Sequence, residues 1–137
     1  MAVSTETKKV KLCWQSELTF EGTNSTKRQL TLDGNARQGF SPMDALLSSA
    51  GACMGIDIVV ILKKMKTELE TLEILIEGER EEMPPCYFHS IKMQFQMTGN
   101  IQQEQAERAV QLSFDKYCSV FHTLRKDIKV DIETIVE

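Results

Sequence analysis

The chain has 137 residues, 42% of them hydrophobic and 26% charged, with a formal net charge of -4. This is the size and balance of one soluble globular domain, 1–137, and not of a disordered or fibrous chain. A mildly acidic chain without a Lys/Arg-dense stretch has no electrostatic footprint for a phosphate backbone, so nucleic acid is not expected as a partner. The segment from Met1 to Lys9 is polar and has no apolar run before a cleavage site, which makes the cytoplasm the expected compartment.

In chain order, Lys8 to Trp14 alternates, with Val10, Leu12 and Trp14 on one face, the pattern of a half-buried strand. Glu17 to Phe20 and Arg28 to Leu32 predict two more short strands of an antiparallel meander, with turns at Glu21-Gly22 and Asp33-Gly34-Asn35. Ser41-Pro42-Met43-Asp44 predicts a helix start: Ser41 as N-cap, proline at the first helical position, and Asp44 closing a capping box. From Ala45 to Leu62 the only charged residue is Asp57, and the helix is expected to end near Lys63-Lys64. Apolar residues all round predict burial. A membrane span is the rival reading, but Ser48, Ser49, Ala50, Gly51, Ala52 and Gly55, with Asp57 in the interior, point to the central helix of a soluble domain.

Leu72, Ile74 and Ile76 alternate, as do Ile91, Met93, Phe95 and Met97 after Pro84-Pro85, predicting a strand pair. A helix is expected over Gln102 to Lys116, with Ala106, Ala109, Val110 and Ser113 on one side, continuing with a bend from Tyr117 to Leu124. Ile128, Val130 and Ile132 predict a last strand. The order is that of an α+β fold, with helices packed on a largely antiparallel sheet.

Four cysteines, Cys13, Cys53, Cys86 and Cys118, are widely separated and form no CxxC pair, so the pattern gives no zinc site, and any disulfide would be transient. Cys53 in the middle of the apolar helix has the bland reading of a core cysteine. The small residues around it nevertheless leave space at the sulfur that a packed core would fill. Cys118 and His122 are four apart on a helix and share a face, so an imidazole near a thiolate is one reading and a surface histidine the other. Asp57, one turn after Cys53, is expected to be hydrogen-bonded within the core or an interface.

The stretches Ser41-Pro42-Met43-Asp44-Ala45-Leu46-Leu47, Ala52-Cys53-Met54-Gly55-Ile56-Asp57-Ile58-Val59 and Ile61-Leu62-Lys63-Lys64 resemble the central cysteine helix of the OsmC/Ohr family. Ala109 to Ser113 leading into Lys116-Tyr117-Cys118-Ser119-Val120 is similar to the segment bearing that family's second cysteine, and Gly78 to Glu82 with Gly99 resembles its OsmC-like, YhfA-type branch. The resemblance implies an intertwined homodimer with active sites at the subunit interface and no cofactor. It implies reduction of organic hydroperoxides by peroxidatic Cys53, resolution by Cys118, and recycling by an external dithiol, with Cys13 and Cys86 as bystanders. Two departures stand out. Met43 occupies the place of the family's activating glutamate, and Asp44, about 180° round the helix from Cys53, does not replace it. The family's thiolate-stabilising arginine has no counterpart between Trp14 and Gly22, with Arg28 and Arg37 the nearest. The alternatives are a non-catalytic small-ligand-binding or redox-sensing module of the same fold, and a Cys118/His122 acyl-transfer enzyme for which no oxyanion motif is present.

Overall fold

A computed structural model describes residues 5–137; the first four residues of the polar N-terminus lie outside the described residues. The chain forms two compact units, 1–46 and 47–137.

The first unit is the expected meander: β1 (Val10–Ser16), β2 (Thr19–Asn24) and β3 (Gln29–Asp33), antiparallel in the order β1-β2-β3. Its turns differ from expectation. Glu21 and Gly22 lie inside β2, facing Cys13 and Leu12 on one side and Thr31 and Leu30 on the other. The reversal comes later, where the Asn24 side-chain oxygen accepts the N–H groups of Thr26 (3.1 Å) and Arg28 (2.9 Å) and Lys27 takes a positive φ of 67°. An Asx side chain that mimics a backbone turn explains why asparagine, and not the glycine, marks the bend.

The turn after β3 is where the sequence places it. The buried Asp33 carboxylate accepts the N–H of Asn35 (2.9 Å), Gln38 (3.0 Å) and Arg37 (3.3 Å). Those N–H donors, Asn35 foremost, hold its pKa below the ordinary carboxylate value. The capping box also forms: Ser41 N–H donates to Asp44 Oδ2 and Asp44 N–H to Ser41 Oγ, both at 3.1 Å. The alternation in β1 is real, but its apolar face is not covered, with Val10 65% and Trp14 64% exposed.

Helix α1 (Pro42–Lys64) starts at the predicted proline and ends at the predicted lysines. In the second unit its buried stripe is Ala50, Gly51, Met54, Gly55, Ile58 and Leu62, spaced three and four apart. Gly51 and Gly55 bring the helix close to the sheet. A Cβ on Gly55 would sit 2.9 Å from the Ile74 side chain. Burial on every side is not what the structure has: Ile56 is 66% exposed, and Val59 and Val60 also face outward. By length and composition α1 remains apolar enough to cross a bilayer.

Behind α1 lies a three-stranded sheet in the order β4-β5-β6, made of β4 (Glu68–Arg80), β5 (Phe88–Asn100) and β6 (Lys129–Val136). β4 and β5 are antiparallel, as the other sheet is, whereas β6 runs parallel to β5. A parallel neighbour needs a long crossover, and α2 (Gln103–Leu112), a π-turn (Ser113–Tyr117) and α3 (Ser119–Thr123) supply it. The core is the inward register of Ile91, Met93, Phe95 and Met97, buried with Ala106, Ala109 and Val110 of α2. On the outer side of β6 the amide of Gln103 bonds the strand's edge, donating to Thr134 O (2.7 Å) and accepting from Val136 N (3.2 Å).

Candidate active site

Two local features place the cysteines. Cys53 lies on α1 one position from the buried Met54, half-exposed beside the stripe that faces the sheet. The second is an irregularity in the crossover helix. After Leu112 the chain widens into the π-turn, closed by Cys118 N–H donating to Ser113 O at 2.7 Å. Cys118 then leaves the helical region (φ −69°, ψ 103°) and serves as N-cap of α3, its Sγ accepting the Phe121 N–H at 3.5 Å. The expected gentle bend is therefore a break, centred on the cysteine itself.

These placements bring the two sulfurs together. Cys118 is fully buried, and Cys53 is near enough to raise its pKa. Burial pushes the Cys118 thiol up to about 11; the Phe121 N–H works against this, and the neighbouring Cys53 adds to it. All four cysteines are free thiols.

Other candidates fall elsewhere. The ring of His122 does not serve the sulfur: Nδ1 lies 2.8 Å from Cys118 O and Nε2 3.0 Å from Asp115 O, both backbone carbonyls. Cys13 is exposed in β1, and Cys86 Sγ points at Glu82 O (3.7 Å).

Asp57 is hydrogen-bonded inside the chain, as expected, and its donor is Ser113 Oγ at 2.8 Å. Ser113 is a residue that sequence reasoning did not single out. Its signal was present: a hydroxyl on the stripe of Ala106, Ala109 and Val110, where every other residue is apolar and buried. A fully buried hydroxyl requires a partner, and a charged one binds it most strongly.

The sequence pattern of OsmC-like proteins matches residues 33–133, the stretch that carries both cysteines. The chain belongs to the OsmC-like protein family. It is 37% identical over 119 residues to protein YhfA of Escherichia coli strain K12, covering 85% of this chain and 89% of YhfA. The OsmC-like fold is shared with the crystal structure of a hypothetical protein from Aquifex aeolicus VF5, at a TM-score of 0.90 and 33% identity, covering 97% of this chain and 98% of that one. It is also shared with an organic hydroperoxide resistance protein OsmC from Legionella pneumophila, at a TM-score of 0.69 and 18% identity, covering 98% and 99% of the two chains. The α+β architecture anticipated from the sequence is thus the OsmC/Ohr fold.

Proposed function

We propose that this OsmC-like protein is a thiol-dependent peroxidase that reduces organic hydroperoxides with Cys53 and Cys118. The observation that carries the reading is the meeting of the two thiols, one half-exposed on α1 and the other buried at the N-cap of α3. The Cys53 thiolate attacks the outer peroxide oxygen; the O–O bond breaks, the sulfur becomes a sulfenic acid, and the alkoxide takes a proton to leave as the alcohol. The Cys118 thiol then attacks that sulfenic sulfur. A disulfide forms, and the departing hydroxide leaves as water with the thiol proton. An external dithiol returns both cysteines to thiols by exchange and is itself oxidised.

The difference between the two thiols supports this division of labour. Cys118, with its pKa near 11, is a neutral thiol around neutral pH and a poor first attacker, which leaves the first step to the more accessible Cys53 and makes resolution by Cys118 slow. The same raised value also suits a slow redox sensor, the second reading. With Met43 in the glutamate position, turnover is expected to be slow in either case.

The protein is further proposed to work as one domain in a cytoplasmic homodimer. Val10, Leu12 and Trp14 of β1, and Ile56, Val59 and Val60 of α1, leave apolar faces that a second copy of the chain would cover. Free cysteines suit a reducing compartment.

The test is stoichiometric oxidation with an organic hydroperoxide. Wild type should lose both thiols and yield a Cys53–Cys118 disulfide by peptide mapping, and Cys118→Ser should accumulate a sulfenic acid that a dimedone-type reagent traps. Thiols that stay reduced, or Cys118 oxidation that persists in Cys53→Ser, would count against the peroxidase reading.

A further inference from the structure

Ser113 and Asp57 stand between the two cysteine-bearing elements. Asp57 is four residues after Cys53 on α1, on the same side of the helix. Ser113 opens the π-turn, and its carbonyl accepts the N–H of Cys118 at 2.7 Å. Its hydroxyl, fully buried, donates to the Asp57 carboxylate at 2.8 Å. One serine therefore grips Cys118 through its backbone and the Cys53 helix through its side chain. A single π-turn inside a helix is rare and is found frequently at functional sites.

We propose that Ser113 and Asp57 are a positioning pair that sets how closely the Cys118 and Cys53 thiols meet, and so governs how readily they form a disulfide. The proposal rests on the reading of these two cysteines as a redox pair, but not on hydroperoxide as their oxidant. The pair does not touch substrate. It acts by removing the freedom of one thiol relative to the other, which is what raises the effective concentration of an intramolecular reaction.

The test measures the thiol–disulfide equilibrium of the full chain in mixtures of reduced and oxidised glutathione. In it, two protein thiols and one glutathione disulfide give the Cys53–Cys118 disulfide and two glutathione thiols. Ser113→Ala and Asp57→Ala should each weaken disulfide formation about tenfold, because the released elements lower the effective concentration of one thiol at the other. The double variant should be no worse than either single one, since both remove one bond. Ser113→Thr and Asp57→Asn keep a donor and an acceptor and should stay within about threefold of wild type. General destabilisation acts on reduced and oxidised protein alike and leaves this equilibrium in place. Should Ser113→Ala fail to fold, Asp57→Ala carries the test, since alanine suits a helix interior. Equilibria within about twofold of wild type in the folded alanine variants would overturn the proposal, as would a wild type that forms no Cys53–Cys118 disulfide with glutathione. Disulfide formation with glutathione but none with hydroperoxide would leave the positioning pair standing and remove the peroxidase reading.

Discussion

Cys118 should ionise far above the range of an ordinary thiol. Its pKa is pushed from 9.0 to about 11, first by burial and further by Cys53, against the pull of the Phe121 N–H. At about pH 8 the thiolate fraction is then about one in a thousand, against about one in ten for an unperturbed thiol, so direct attack by Cys118 slows about a hundredfold. Subtracting the ultraviolet thiolate titration of Cys118→Ser from that of wild type isolates the group. A midpoint near 9 or lower would refute the reasoning. The shift carries a stability consequence with a definite sign. The folded state holds this proton more tightly than the unfolded state, so the contribution is complete below the unfolded value of 9.0 and is lost as pH rises towards about 11. Over that window wild type should lose on the order of 2–3 kcal/mol that Cys118→Ser does not lose, read by denaturant unfolding at a series of pH values. Because burial is the leading cause, Cys53→Ser should bring the midpoint down only part of the way.

Gly99→Ala should be severely destabilising, by more than about 3 kcal/mol in urea unfolding, because φ is +134° and a Cβ would be driven into the Glu68 carbonyl across the β4–β5 pair. Phe95→Ala, at the fully buried centre of β5, should cost about 3–5 kcal/mol in the same assay, whereas a cost below about 1 kcal/mol would mean the core lies elsewhere. Ser41→Ala removes the hydroxyl of the capping box and should cost about 1 kcal/mol, with no loss expected only if the helix start is held by something else. Light scattering at micromolar concentration should report twice the mass of the chain, and a monomer would leave the exposed faces of β1 and α1 without their proposed cover.

What the sequence could reveal depended on how local the cause was. The start of α1 was legible because Ser41, Pro42 and Asp44 act on their immediate neighbours. The β2–β3 turn was misplaced for the same reason in reverse: Gly22 attracts a turn assignment, while the Asn24 side chain makes the turn. The apolar alternation of β1 was correctly seen, but no part of the same chain buries that face, since periodicity reports which face is apolar and not what covers it. The parallel pairing of β6 depends on the whole crossover, which no local pattern encodes. At the site both cysteines could be named from resemblance, but the placement of Cys118 depends on one extra residue in the turn from Ser113 to Tyr117. No composition or period marks such an insertion. Of the two readings of His122 the surface one holds: the residue is exposed, and the π-turn and the break at Cys118 direct its ring to two carbonyls and not to the sulfur.

The Gln103 amide on the margin of β6 has a consequence for assembly. By bonding Thr134 and Val136 as a neighbouring strand would, it occupies two of the backbone groups through which the C-terminal end of that side could recruit another chain. β4 forms the opposite margin. The two margins of this sheet are therefore unequal: strand addition at the C-terminal end of β6 would first have to displace a side chain that already makes the strand's bonds, a cost that disfavours open-ended growth from that side.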